Sequence, residues 1–406
     1  MKHIAYRLYQ KVYKQLMYTI SWEDPYLLEG QHAVYKVPSY LKERAIQHVF
    51  VVTDKELRKL GIIDGLLHAL RENNIQVTMY DDITPNPTIP TIMKAYTIYK
   101  EQQCEALIAF GGGSVIDCAK AVGAKLVRPT KELAQLKGQL HIRKPLPLFI
   151  AIPTTAGTGS EATVAAVISN PQTHEKYAIN DPVLVPDMAV LDPLLTLNLP
   201  PHITATTGMD ALTHAIEAYI GRSSTALTNM YSEEATRLIM TYLWRAYTTP
   251  TDIEARQAMQ KASYFAGAAF TRAFVGNVHA ISHTLSGFYN VPHGLANAVI
   301  LPHVLESYGA TIYMPLSQLA IKSGIGNANW STRENAELFI QTIRQLNEAM
   351  EIPTHLPIIQ SADIPLMASR AYAEANPLYP VPVIYTKAQF EAMYKQLQGN
   401  EAIHIL

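Results

Sequence analysis

Four residues carry side chains that could hold a metal ion: Asp210, His214, His279 and His293. Asp210 and His214 are four positions apart, so a helix would place both on one face. His283 follows His279 by one helical turn. One carboxylate and three imidazoles suit a divalent transition metal such as Fe, Zn, Co or Ni. The alternative is that each is an ordinary core histidine, and spacing alone leaves both interpretations open because only the fold can bring the segments together.

Length and composition limit the class of protein. The 406 residues are 48% hydrophobic, which predicts a large core and two domains. A net charge of −1 gives no electrostatic reason to expect a nucleic-acid partner. The two cysteines, Cys104 and Cys118, are too few for a disulfide scaffold and fit a reducing compartment. No apolar run is long enough for a membrane span, and we expect a cytoplasmic protein.

The first half of the chain alternates short apolar runs with stretches of helical periodicity. This βαβ pattern predicts a doubly wound parallel sheet. A hairpin is predicted around a turn at 170–173. The predicted parallel strands are 48–53, 76–80, 106–110, 148–152 and 188–191.

After residue 200 the strand signals fade and the pattern predicts helices. The boundary is predicted in the 198–204 stretch, which gives an α/β domain at 1–199 and an all-helical domain at 200–406. The predicted helices are 204–220, 225–247, 252–272, 277–288, 294–308, 331–350 and 387–397.

Two polar turns could hold a nucleotide. Residues 111–114, Gly-Gly-Gly-Ser, follow one predicted strand and precede a helix, where glycine admits a pyrophosphate close to free backbone N–H groups. A glycine triplet can equally be a purely structural strand–helix turn. The second turn, 153–161, could hold phosphate, ribose or nicotinamide, or could be a loop capped by Thr158 or Ser160.

Asp54 ends the first predicted strand. A carboxylate there accepts hydrogen bonds from ribose hydroxyls and repels a 2′-phosphate, which favours NAD over NADP. The alternative, a helix N-cap, is equally compatible with the sequence.

The N-terminal segment 1–22 carries four Lys or Arg residues, five Tyr or Trp residues and no acid. It lacks the apolar core and cleavage site of a signal peptide. A helix on a membrane surface is one interpretation; we favour a helix docked on the protein. Residues 1–30 are therefore predicted to be an atypical helical segment.

Several motifs in order resemble the iron-containing (group III) alcohol dehydrogenases. They are 111–120, 153–163, 208–219, and 279–283 with 291–304. The resemblance runs from about residue 47 to near the end of the chain. It implies a Rossmann-like N-terminal domain that binds NAD and a C-terminal helical-bundle domain that binds the metal, with the active site in the cleft.

The resemblance also implies roles for single residues. Asp210, His214, His279 and His293 would bind a divalent metal, usually Fe²⁺ and sometimes Zn²⁺, and His283 would be the further catalytic histidine near nicotinamide and substrate. The implied cofactor-binding residues are Asp54, Asn86, Gly112, Gly113, Ser114, Thr154, Thr155, Thr158, Thr163 and Lys176.

The expected function is an NAD(H)-dependent, metal-dependent alcohol dehydrogenase or aldehyde reductase. The metal would polarise the alcohol or carbonyl oxygen while hydride passes to or from nicotinamide C4. A diol, polyol or hydroxy-acid dehydrogenase of the same fold is an alternative, as is an assembly role for the N-terminal segment. We expect a small-molecule alcohol or aldehyde as substrate and a homodimer or higher homo-oligomer. The first 45 residues depart from the family pattern.

Overall fold

The computed structural model describes residues 2–18, 23–171 and 175–399. These residues form two compact units. The α/β unit contains 23–199 and 251–260; the helical unit contains 2–18, 200–250 and 261–399. Among the described residues, no helix is both long and apolar enough to cross a membrane.

The α/β unit is built on a six-stranded sheet whose neighbouring strands are all parallel. Its order is β1-β9-β6-β4-β2-β3. All five predicted parallel strands are present. Strand β1 was not predicted, because four residues at a sheet edge give too short a pattern. It lies within the segment 1–30 that was predicted to be helical, and that prediction is wrong for residues 26–29. The strands are Tyr26–Glu29 (β1), His48–Val52 (β2), Gln76–Tyr80 (β3), Ala106–Gly111 (β4), Leu148–Pro153 (β6) and Met188–Leu191 (β9).

The central strands are continuous apolar runs because both faces of the sheet are covered. Phe50, Leu107 and Phe149 pack into the core on one face. Val51 and Ile108, which alternate with them, pack into a separate core on the other face. The helices of this unit are Val37–Lys42 (α2), Lys55–Lys59 (α3), Asp64–Glu72 (α4), Ile89–Glu101 (α5) and Gly113–Val127 (α6).

A second, three-stranded sheet has the order β5-β8-β7. Its strands are Gly138–Gln139 (β5), Ala165–Asn170 (β7) and Glu175–Asn180 (β8). Strands β7 and β8 are antiparallel, which confirms the predicted hairpin. Residues 172 and 173 of its predicted turn lie outside the described residues.

In the described part of 200–399 every regular element is a helix. All seven predicted helices are present. Helices α12 and α14 were not predicted; each has a proline in its first turn, which obscures the helical pattern although that turn tolerates proline. The helices are Lys2–Tyr18 (α1), Pro201–Ile220 (α7), Ala226–Thr248 (α8), Ile253–Ala273 (α9), Asn277–Tyr289 (α10), His293–Tyr308 (α11), Tyr313–Lys322 (α12), Thr332–Ala349 (α13), Ile364–Ala375 (α14) and Lys387–Gln398 (α15).

The two units differ from the predicted domains in two segments. Helix α1 groups with the helical unit, whereas the prediction assigned residues 1–199 to the α/β domain. Residues 251–260 group with the α/β unit, where Gln260 Nε2 donates to the Pro153 carbonyl at 3.3 Å. Tertiary contacts decide to which unit each of these segments belongs, and the position of a segment in the sequence does not reveal those contacts.

Candidate active site

Three helices bring the four predicted metal ligands together. Helix α7 carries Asp210 and His214, α10 carries His279, and α11 begins at His293. One nitrogen or carboxylate oxygen from each lies within 4.8 Å of the other three. The first three residues are buried, and the His293 side chain is 26% exposed. Two metal–ligand bonds of about 2.1 Å place two ligand atoms of one ion at most ~4.2 Å apart. The two most distant ligand atoms of this cluster are at most 4.8 Å apart, so a small inward movement would bring all four within bonding distance of one ion.

Glu217 supports this cluster and was given no role by the sequence analysis. It lies on α7 seven residues after Asp210, on the same helix face, and that spacing was the available signal. Its Oε2 is 2.6 Å from His279 Nδ1. The backbone N–H groups of Gly276 and Val278 donate to its two oxygens, each at 2.8 Å. Burial raises the pKa of Glu217 to about 7, and these hydrogen bonds oppose the rise.

The same contacts fix the tautomer of His279. Because both oxygens of Glu217 already accept backbone N–H bonds, His279 Nδ1 donates to the carboxylate and Nε2 carries the lone pair. Asn297, one turn after His293 on α11, lies beside that nitrogen. Its Nδ2 is 3.2 Å from His279 Nε2, 3.2 Å from His293 Nε2 and 2.6 Å from Asp210 Oδ1. The ligand atoms therefore converge on one small polar volume.

His283 lies next to the cluster and has its own carboxylate partner. Its ring stacks on His293 with centroids 5.2 Å apart. Its Nδ1 is 2.6 Å from Glu374 Oε1, and the Tyr379 hydroxyl donates to the same oxygen at 2.8 Å. Although burial favours the neutral acid, His283 and these hydrogen bonds hold the pKa of Glu374 below its usual value. No sequence signal pairs Glu374 with His283, because 91 residues separate them.

The glycine turn and the second polar stretch meet in the α/β unit. A Cβ on Gly113 would lie 2.7 Å from Thr158 Cγ2, and one on Gly112 would lie 3.4 Å from Thr155 Oγ1. The approach at Gly113 is too close for a Cβ and requires glycine, whereas the distance at Gly112 is an ordinary van der Waals contact. The turn leads into α6, whose N-terminus presents unpaired N–H groups, as phosphate binding requires.

Two further predicted cofactor contacts adjoin this turn. The Asn86 backbone N–H donates to Ser114 Oγ at 3.3 Å, and Asn86 has a φ of 58°. The Thr154 backbone N–H donates to the Gly111 carbonyl at 3.2 Å. The structure thus brings Asn86, Ser114 and Thr154 to one edge, where β4 and β6 end.

A buried lysine holds the second polar stretch against α6. Lys120 Nζ donates to Thr163 Oγ1 at 2.9 Å and to the Thr163 and Ser160 carbonyls at 2.6 and 2.7 Å. Ser160 Oγ in turn donates to Asp117 Oδ1 at 2.6 Å. Thr163 is 1% exposed, so its hydroxyl serves this internal network. Asp117 and Lys120 lie in the glycine-turn motif, but sequence reasoning assigned neither of them a role.

The last two predicted cofactor residues are Asp54 and Lys176. Asp54 caps α3, where its Oδ1 accepts from the Leu57 N–H at 2.9 Å. Asp54 also lies at the end of β2, where the ribose contact was predicted. Because one carboxylate can cap a helix and bind a ligand at the same time, that contact stays a prediction. Lys176 is half-buried on β8 opposite Ser169.

Two family profiles cover most of the chain. "Iron-containing alcohol dehydrogenase" matches residues 25–193, and "Fe-containing alcohol dehydrogenase family, C-terminal" matches residues 204–398. Helix α1 lies outside both matches.

Individual proteins agree with the profiles. The 1,3-propanediol dehydrogenase of Klebsiella pneumoniae is 38% identical over 330 residues, which are 80% of this chain and 85% of that protein. A crystal structure of a 1,3-propanediol oxidoreductase superposes with a TM-score of 0.88 at 35% identity, over 93% of this chain and 99% of the other. A sulfoacetaldehyde reductase from Bifidobacterium kashiwanohense, solved with NAD⁺, gives a TM-score of 0.83 at 27% identity, over 94% and 99%. The chain therefore belongs to the iron-containing alcohol dehydrogenase family and is an oxidoreductase that acts on CH–OH groups.

Proposed function

We propose that the chain is an NAD(H)-dependent alcohol dehydrogenase or aldehyde reductase that works with a divalent metal. The observation that carries the proposal is the convergence of one carboxylate and three imidazoles within 4.8 Å on three helices. Three histidines grouped around a buried aspartate are unusual for an apolar core, because polar and charged groups are costly to take out of water together. Coordination of a metal ion would offset that cost, and it accounts for the grouping of these four side chains.

The donor set fits Fe²⁺ or Zn²⁺ held by Asp210, His214, His279 and His293. Such an ion supplies Lewis acidity toward an alcohol or carbonyl oxygen. Glu217 holds the His279 ring with Nε2 toward the cluster, and Asn297 donates to Asp210. These two supporting residues fix the ligand orientations before any ion binds.

The nucleotide would be held at the ends of β4 and β6. We assign its phosphates to Gly112, Gly113 and Ser114 at the start of α6, where N–H groups and the helix dipole favour anions. Further contacts are assigned to Asn86, Thr154, Thr155, Thr158 and Lys176, with Thr163 acting through its buried network. The nicotinamide supplies the hydride chemistry.

His283 is proposed to carry the proton that the reaction releases or consumes. Its Nδ1 is bound to Glu374, which leaves Nε2 as the nitrogen that exchanges a proton. The carboxylate holds the ring through Nδ1 and so fixes the orientation of Nε2. The alternative is that His283 only packs against His293. In that case the reaction rate would not depend on the His283 imidazole.

Anaerobic NADH oxidation with short aliphatic aldehydes and lactaldehyde tests the proposal. Metal-free protein is compared with protein loaded with Fe²⁺ or Zn²⁺, and turnover is expected only with metal. Because a 1,3-propanediol dehydrogenase is among the relatives, 1,3-propanediol with NAD⁺ tests the diol alternative in the same series. Equal turnover without metal would overturn the metal requirement, while NADH binding without any turnover would point to the assembly role.

Replacing Asp54 by asparagine should move cofactor preference toward NADP(H). Asparagine caps a helix as well as aspartate, so the change removes the charge and keeps the cap to Leu57. The ratio of kcat/KM for NADPH to that for NADH is expected to rise about ten-fold, which corresponds to ~1.4 kcal/mol of relieved repulsion.

Asp64→Asn is the control for this prediction, because it removes an exposed carboxylate at the start of α4. The cofactor ratio of that variant should stay at the wild-type value. An Asp54→Asn enzyme with an unchanged ratio would leave Asp54 with its capping role alone.

A further inference from the structure

Helix α1 makes four of its hydrogen bonds to one short segment of the helical unit, residues 376–382, which follow α14. Other hydrogen bonds join Tyr6 to Tyr372 on α14 and Lys14 to the carbonyls of Arg222 and Ser224. Gln10 is 5% exposed, and its Nε2 donates to the carbonyls of Pro377 and Tyr379 at 3.0 and 2.7 Å. A buried amide that serves two carbonyls is a specific contact, since each carbonyl would otherwise lose its partner. The inner face of α1 is therefore polar where it meets the protein.

Arg7 extends the same contact by one turn. One guanidinium nitrogen, Nη1, donates to the Val381 carbonyl at 2.7 Å and to Gln10 Oε1 at 2.9 Å. The other, Nη2, donates to the Pro382 carbonyl at 2.9 Å. Burial and the charge of Arg222 lower the pKa of Arg7 to about 10, so the group still carries its proton at neutral pH. Two side chains of α1 thus satisfy four carbonyls of the 376–382 segment.

The segment held in this way carries a side chain of the candidate active site. Tyr379, whose carbonyl Gln10 binds, donates its hydroxyl to Glu374 Oε1 at 2.8 Å. His283 Nδ1 lies 2.6 Å from that same oxygen. A path therefore runs from Gln10 by a hydrogen bond to the Tyr379 carbonyl, then along the covalent bonds of Tyr379 to its hydroxyl. From there hydrogen bonds lead through Glu374 to His283.

We propose that α1 is a positioning element for the His283–Glu374 pair, acting through the 376–382 segment. This inference rests on the proposed function, because it takes His283 to act in the reaction at the candidate site. Neither family profile includes α1, so neither profile match predicts this role. This role of the basic, Tyr-rich N-terminal segment requires neither an oligomer nor a membrane.

Kinetics of three variants test the path. Gln10→Met keeps the side-chain volume and removes both donors, Arg7→Lys keeps the charge but not the two-pronged contact, and Tyr379→Phe removes one hydroxyl. Each is expected to lower kcat about three- to ten-fold, the range for loss of one or two hydrogen bonds, with KM for NADH and metal content unchanged. Combining Gln10→Met with Tyr379→Phe should cost little more than the larger single effect, because both act on one path.

Hydrogen exchange gives a readout that does not depend on turnover. Peptides covering 371–385 should exchange faster in Gln10→Met than in the wild type, with or without metal. Lys11→Ala is the matched control, since Lys11 is exposed on the same helix, and both its kinetics and its exchange should match the wild type.

The outcomes separate the two proposals. If His283→Ala is slow while Gln10→Met has normal kcat, the positioning role is overturned and the proton role stands, even where exchange at 371–385 is faster. If His283→Ala turns over at the wild-type rate, the proton role fails and the positioning role falls with it. A fall in kcat that is the same in Lys11→Ala would also overturn the path, because that side chain touches no part of it.

Discussion

His279→Ala is expected to abolish metal binding and dehydrogenase activity together. The imidazole Nε2 is one of four donors that lie within 4.8 Å, and Glu217 holds it in place through Nδ1. Alanine removes the donor and leaves the buried Glu217 carboxylate without its imidazole partner. The activity should fall by at least about a thousand-fold, because the lost Lewis acidity is worth several kcal/mol. Metal content by elemental analysis and the rate of NADH oxidation are measured on the same sample.

His202→Ala provides the control for that experiment. His202 is exposed on α7, the helix that also carries Asp210 and His214. Its replacement therefore tests whether loss of a histidine outside the cluster changes metal content or activity. That variant should bind one metal equivalent and turn over normally. A His279→Ala protein with full metal content and activity would refute the ligand assignment, whereas loss of metal with retained activity would refute the role of the metal.

His283→Ala should keep the metal and lose the rate. His283 is not among the four converging donors, but its ring stacks on one of them, His293. General acid–base catalysis contributes about 10²- to 10⁴-fold, and kcat should fall within that range. Glu374→Gln should give a smaller loss of the same kind, since the amide keeps a contact to Nδ1 without the charge.

Tyr289→Phe is the matched control on the same helix, because its hydroxyl bonds to Asp363 and not to the His283 pair. Its kcat should match the wild type. Loss of metal in His283→Ala would recast His283 as a ligand, and an unchanged kcat would reduce it to a packing residue.

Local pattern was enough to predict most of the fold. The runs at 106–110 and 148–152 are apolar throughout because the sheet is covered on both faces, and they became β4 and β6. The elements missed were β1, which has only four residues, and α12 and α14, whose first turns contain proline. A pattern of a few residues or a tolerated proline does not separate an element from a loop.

For the candidate site, too, the sequence predicted the features that depend on local spacing. Helical spacing alone placed Asp210 and His214 on one face, and the same spacing extends to Glu217. The capping of α3 by Asp54 is also local, yet the sequence left it equal to a ribose role, and the observed cap does not exclude ligand binding by the same carboxylate. Local geometry thus identifies candidates without choosing between roles that the same atoms can perform.

The sequence by itself determined which residues could be ligands, which turns could hold phosphate, and where most strands and helices run, because these depend on spacings within a few turns of chain. Only the tertiary structure decided that α7, α10 and α11 bring four donors together. It also decided that Glu217 binds His279 across 62 residues, and that Glu374 binds His283 across 91. Such pairs depend on how separate helices pack, and packing leaves no periodic signal in the sequence. Docking of the N-terminal helix on the 376–382 segment is of the same kind.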